Sequence, residues 1–197
     1  LAERNYGKLG ETKPIVLEDG GTIPPKLKPG MGAKIDDVIL RSAHALGLKE
    51  GTIKGDLVIS GDQVYVIEMA GRLSGGWFAS DQIPAASGVD LVQAQLLYAL
   101  GQKVGSEILQ ATKSLSTTIR YIWPDFGRIK KVTGLNEIQN DERCIRAGVF
   151  YAADDLYQKK EKHSDRFGYV IALGESREQS CTTAEEFINK IKVEYHD

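Results

Sequence analysis

Asp56-Leu57-Val58-Ile59-Ser60-Gly61-Asp62-Gln63-Val64-Tyr65-Val66-Ile67-Glu68-Met69 is the stretch on which the fold turns. Two short runs rich in β-branched residues, Asp56 to Ser60 and Val64 to Met69, flank the turn-forming pair Gly61-Asp62, the pattern of an antiparallel hairpin. With Gly61, Asp62 and Gln63 as a three-residue loop, Ser60 lies opposite Val64, Val58 opposite Val66, and Asp56 opposite Glu68. Both carboxylates then share one face. Directly opposed residues have Cβ atoms roughly 5 Å apart, where like charges destabilise the pair unless positive charge sits between them. A divalent cation supplies that charge. Magnesium fits, because it takes hard oxygen ligands, one or two of them protein carboxylates, with phosphates and water completing the shell. Two readings stay open at this point: a two-residue turn would shift the register and separate the acids, and acidic residues at strand ends are often simply solvated.

Before the hairpin, Ile35, Val38, Ile39 and Leu46 recur at helical spacing and Gly47 follows as a stop, which predicts an amphipathic helix from Lys34 to Leu46. Gly7 to Gly32 hold Pro14, Gly20-Gly21, Pro24-Pro25 and Pro29-Gly30, punctuation that predicts a long surface loop. After the hairpin, Arg72 to Gly88 is rich in glycine and serine and also reads as a loop. Asp90 with Gln93 opens a helix that runs to Leu100 and ends at Gly101; Leu91, Leu96, Leu97 and Leu100 give it an apolar surface.

Past Lys113, the segments Thr117 to Trp123, Gly127 to Thr133, Arg146 to Ala152 and Gly168 to Ala172 read as strands. Asp154 to Arg166, with Lys159, Lys160, Lys162 and His163, reads as a solvated loop. Thr182 with Glu185 forms a capping box for a final helix that carries Phe187, Ile188 and Ile191. Strands and helices out of strict alternation favour an α+β fold over a doubly wound sheet.

Composition narrows the function. A chain of 197 residues, 42% hydrophobic and 26% charged, has the profile of a globular protein with a real core. A net charge of -2 with both signs interspersed offers no basic face for nucleic acid and no polybasic run for a membrane surface. No apolar run approaches the roughly 20 residues that span a bilayer, and no signal-peptide pattern opens the chain; a cytoplasmic location is expected. Cys144 and Cys181 are too few for a disulfide framework or a zinc site and read as reduced core residues. The chain begins at Leu1, and the segment to Tyr6 reads as the end of an element, so a truncated or processed chain is expected. His44, His163 and His196 lie on a helix, in a polar loop and at the terminus, which argues against a catalytic histidine.

Gly51-Thr52-Ile53-Lys54-Gly55-Asp56-Leu57-Val58, then Val64 to Arg72, then Gly88-Val89-Asp90-Leu91 and Ala99-Leu100-Gly101, together resemble the ATP-grasp superfamily near biotin carboxylase and carbamoyl phosphate synthase. Leu73-Ser74-Gly75-Gly76-Trp77-Phe78 is most similar to the corresponding loop of its carboxylate–amine ligases. Ile145 to Gly148 and Arg166 to Ala172 resemble the C-terminal subdomain of the biotin carboxylase group. The resemblance implies an α+β architecture: the C-terminal lobe of an ATP-grasp fold, an antiparallel sheet with helices, over residues 1–113. A small β-rich, biotin-carboxylase-C-terminal-like subdomain follows over 114–197.

Carried over residue by residue, the resemblance makes Asp56 and Glu68 the metal ligands and ATP with magnesium the cofactors, manganese being an alternative. Val58 would lie against the adenine, and Arg72 would face the γ-phosphate and the acyl phosphate, where its planar fork suits phosphate or carboxylate oxygens. Ser74, Gly75 and Gly76 would present N–H groups to a substrate carboxylate. Most members have an asparagine two positions after the glutamate; here Ala70 stands, so one oxygen ligand must come from elsewhere. Lys54 is expected to face away from Asp56 if the strand already begins there, and is only a weak candidate.

The implied activity is that of a carboxylate–amine ligase working through an acyl phosphate. Glu68 and Arg72 are its catalytic residues, and its partners are ATP, a small carboxylate and amine, and the N-terminal lobe of the same enzyme. This chain by itself is expected to bind ATP poorly and not to turn over; an oligomer is compatible with everything above. The rival within the enzyme class activates bicarbonate, as carbamoyl phosphate synthase and biotin carboxylase do, and Ser74-Gly75-Gly76 argues mildly against it. The rival outside it is a non-catalytic nucleotide-binding or assembly domain, for which Ala70 speaks.

Overall fold

The computed structural model describes residues 1–196. Along the first half run β1 (Glu3–Asn5), α1 (Leu9–Thr12), β2 (Gly20–Ile23), α2 (Met31–Ala45), β3 (Lys54–Ser60), β4 (Gln63–Ala70), a π-helical turn (Phe78–Gln82), α3 (Ile83–Ser87) and α4 (Leu91–Ala99). The second half holds β5 (Ser116–Ile122), β6 (Gly127–Thr133), α5 (Leu135–Gln139), β7 (Cys144–Val149), β8 (Leu156–Tyr157), β9 (Gly168–Gly174), α6 (Arg177–Lys190) and β10 (Lys192–Tyr195). Among the described residues every strand pairing is antiparallel, and the helices do not alternate with the strands, so the fold is α+β as expected.

The chain forms two compact units. One consists of Lys26–Pro84 with Gly88–Ala111 and contains the β3–β4 hairpin. Helix α2 buries Met31 and Ile35 and packs on β4. Gly55 makes that packing close: a Cβ there would stand 2.8 Å from Ile39 Cδ1 and 2.9 Å from Met69 Sδ, so a side chain would have to displace the ends of those two residues. Helix α4 starts where its cap was read, Asp90 Oδ1 accepting from the Gln93 N–H at 2.9 Å.

The other unit joins the first 25 residues and Ala85–Ser87 to the stretch from Thr112 onward. Its main sheet has the order β1-β2-β5-β9-β7, and a second sheet the order β10-β6-β8. Helix α6 packs on β5 and β9, enclosing Ile122, Ile129, Ile138, Phe167, Val170, Ala172, Ala184 and Phe187. Each large side chain among them contributes about 1.5–3 kcal/mol by leaving water.

Several expectations are corrected here. Gly20–Ile23 is not loop but strand β2, paired to β1 on one side and β5 on the other. Its glycine pair, read as turn punctuation, allows the neighbouring backbones to come close. Helix α6 begins at Arg177, with Ser176 Oγ accepting from the Gln179 N–H at 3.1 Å. Thr182 and Glu185, read as its cap, are exposed residues inside the helix, whose buried face carries Thr183 and Ser180, the Ser180 hydroxyl lying 2.8 Å from those of both Ser116 and Thr118. The polar stretch Asp154 to Arg166 holds β8 and a short helical turn, with Tyr157 fully buried against Tyr151 and Phe167.

Candidate active site

The hairpin turn contains two residues, since Ser60 pairs with Gln63 and Gly61-Asp62 forms the tip. Gly61 has φ +60°, which fits a type II′ turn with its positive φ at the first central position. Val58 therefore stands opposite Tyr65 instead of Val66, and Leu57 opposite Val66. Uncorrected, this register would separate the two acids. A β-bulge between Asp56 and Leu57 adds one unpaired residue, Ile67, to the opposite strand, and beyond it Asp56 pairs with Glu68. The turn is one residue shorter than predicted and the bulge restores the count.

Lys54 corrects another expectation. Strand side chains alternate with period two, so residues 54 and 56 share a face. Lys54 Nζ lies 2.7 Å from Asp56 Oδ2 and 3.3 Å from Glu68 Oε1, an ammonium set between the two carboxylates. Its own cross-strand partner is Ala70. Arg72 Nη2 lies 3.6 Å from Glu68 Oε1, and its Nη1 donates to the Leu73 carbonyl at 3.3 Å. The Arg72 and Glu68 side chains are both more than half exposed, so this pair contributes at most about 1 kcal/mol and leaves Arg72 able to turn to another anion.

Val58 and Tyr65 expose about half their surface next to the acids. Ser74 is half-buried, Gly75 and Gly76 are exposed, and a Cβ on Gly75 would meet nothing within 4 Å. Gly76 (φ 63°) and Trp77 (φ 62°) adopt left-handed backbone, leading into the π-helical turn. Such turns are frequent at functional sites. Gln82, at its end, is fully buried, and neither Oε1 nor Nε2 is hydrogen-bonded among the described residues. No periodic pattern announces a π-turn, so nothing in the sequence singled this residue out.

A second polar cluster, in the other unit, was also missed. The nearly buried Glu18 carboxylate lies 3.4 Å from Arg166 Nη2 and 3.7 Å from Arg4 Nη1, and the Glu18 N–H donates to His163 Nε2 at 3.2 Å. The Arg166 guanidinium sits 3.4 Å from the centroid of the Tyr121 ring. Burial pushes the Tyr121 hydroxyl up to about 12, against the opposing pull of Arg166. Glu18 Oε1, Asp19 Oδ1 and Arg166 Nε find no hydrogen-bond partner among the described residues.

Among the described residues no group of three or more His, Cys, Asp or Glu could hold a metal ion. The Asp56–Glu68 pair is a two-carboxylate set, the number that magnesium commonly takes from a protein when phosphates supply further oxygens, and the pair already holds a cation, the Lys54 ammonium. Cys144 and Cys181 are free thiols, and burial pushes Cys144 up to about 11, which makes it unreactive. No described helix is long and apolar enough to cross a membrane.

Residues 120–196 match the family model for L-amino acid ligase C-terminal domain 2. Over 88 residues the chain is 33% identical to carnosine synthase 1 of Gallus gallus, a match that covers 45% of this chain and 9% of that protein. Among solved structures it is similar to phosphoribosylglycinamide synthetase from Anaerococcus prevotii, with a TM-score of 0.84 and 18% identity over 99% of this chain and 49% of that one. It is also similar to the L-amino acid ligase from Bacillus licheniformis, with a TM-score of 0.81 and 20% identity over 94% and 46% of the two chains. The chain thus spans about half the length of these solved relatives. Its fold is shared with about half of each of these two solved structures, and the match of residues 120–196 to an L-amino acid ligase domain agrees with the resemblance read from its motifs.

Proposed function

We propose that this chain forms part of the nucleotide site of a cytoplasmic, ATP-dependent carboxylate–amine ligase. The observation that carries the reading is the pairing of Asp56 with Glu68, with Lys54 between them and Arg72 beside them. Asp56 and Glu68 hold magnesium, which when bound neutralises charge on the nucleotide phosphates. Val58 packs against the adenine. Arg72 takes the oxygens of the transferring phosphoryl group in its planar fork, a role for which its loose pairing with Glu68 leaves it available. Ser74, Gly75 and Gly76 offer backbone N–H groups to the substrate carboxylate, and the open space at Gly75 leaves room for it. The carboxylate attacks the γ-phosphate and ADP leaves; an amine then attacks the resulting acyl phosphate and loses a proton as inorganic phosphate leaves. The remaining lobes supply the rest of the nucleotide and substrate contacts, so the chain on its own does not turn over.

Ala70 favours a second reading, a nucleotide-binding domain without catalysis, because the strand offers no third oxygen ligand two positions past Glu68. Magnesium-dependent ADP formation by the full-length protein, measured across a panel of amino acids with bicarbonate included, separates the two. Stimulation by a carboxylate–amine pair is expected. Absence of stimulation by every compound would overturn the ligase reading, and stimulation by bicarbonate alone would replace it with a carboxylase.

A further inference from the structure

The geometry points to Lys54 as a built-in counter-cation of the Asp56–Glu68 pair, one that competes with the divalent ion for these oxygens and makes the ion enter together with the nucleotide. This rests on the metal assignment proposed above and adds a residue and an order of binding to it. Lysine is among the residues least often buried, its ammonium normally reaching water at the end of a flexible stem. Here the side chain is only 13% exposed, folded onto the hairpin with Nζ 2.7 Å from Asp56 Oδ2 and 3.3 Å from Glu68 Oε1. Directly across the ladder stands Ala70, whose methyl group leaves the lysine its room.

Two opposed carboxylates need positive charge between them. In this chain the Lys54 ammonium supplies it. A divalent ion bound to the same oxygens would lie within a few ångströms of the ammonium, and the repulsion between them makes the two occupants exclusive. Metal alone therefore binds weakly, because it must first displace a well-placed ammonium. Metal arriving with phosphates meets a different balance: the displaced Lys54 remains within reach and becomes a point charge for a phosphate oxygen, a role to which lysine is suited.

The test is a titration of the full-length protein with Mn²⁺ alone, followed by electron paramagnetic resonance, for wild type, Lys54→Met, Lys54→Gln, Glu68→Gln and the double variant Lys54→Met/Glu68→Gln. Circular dichroism confirms the fold of each. Both neutral substitutions at Lys54 are expected to tighten Mn²⁺ binding by about tenfold or more, and the double variant to lose the gain. Wild-type binding that Glu68→Gln abolishes but that neither Lys54 variant tightens would overturn the competition while leaving the metal assignment intact. Absence of Mn²⁺ binding in every protein would overturn both.

Discussion

Asp56 stands directly opposite Glu68 because a β-bulge at Ile67 cancels the register shift imposed by the two-residue turn at Gly61-Asp62. The pairing of the acids therefore depends on how many residues separate each of them from the turn. Deleting Ile67 removes the bulge but keeps Leu57 opposite Val66 and Asp56 opposite Glu68, so Mn²⁺ binding in the presence of nucleotide should survive. Deleting Leu57 instead sets Asp56 against Val66 and should abolish that binding while far-UV circular dichroism stays close to wild type. Equal behaviour of the two deletions would contradict the register account.

The hairpin was legible because β-branched runs around Gly61-Asp62 leave few alternatives, and the opposition of its acids was legible in outcome but not in cause. The two-residue turn was one of the readings left open and the bulge was invisible, and the two shifts offset each other at Asp56. Lys54 was misplaced by a parity slip that the period of two could have caught. Strand β2 was hidden by Gly20-Gly21 and Pro24-Pro25, whose local preference for turns is overridden by pairing with β1 and β5. The Glu18 cluster was beyond reach, since Glu18 meets His163 and Arg166 across 145 and 148 positions of sequence, a separation at which no local pattern survives.

Arg72 is exposed and only loosely paired, so its value lies in the shape of its fork. Arg72→Lys should leave the melting temperature unchanged and stability within about 0.5 kcal/mol of wild type. It should lower kcat for ADP formation by roughly 10- to 100-fold, because lysine offers a point charge in place of two parallel donors. A wild-type kcat would remove Arg72 from the site.

His163 gives the protein a pH dependence whose sign follows from its surroundings. Burial first, and the Arg166 charge second, hold its pKa below the ordinary 6.5. As pH falls through 6.5 the unfolded chain takes up the proton before the folded one does. The stability contribution is thus present above 6.5 and is lost as pH drops toward the lower folded value. Protonation at Nε2 also ends its acceptance of the Glu18 N–H. Urea unfolding at pH 7.5 and pH 5.5 should show a drop in midpoint that His163→Gln diminishes. An equal drop in both proteins would contradict this.

The central claim, that the Asp56–Glu68 pair is the metal-holding centre of an ATP-dependent ligation, is tested most directly by Glu68→Gln in the full-length protein. The side chain keeps its size and loses the charge on an exposed strand position, so the thermal unfolding curve should overlay that of wild type. Magnesium-dependent ADP formation with the productive carboxylate and amine should fall by at least about a hundredfold. Turnover at the wild-type rate would contradict the assignment of Glu68, and with it the account of the site.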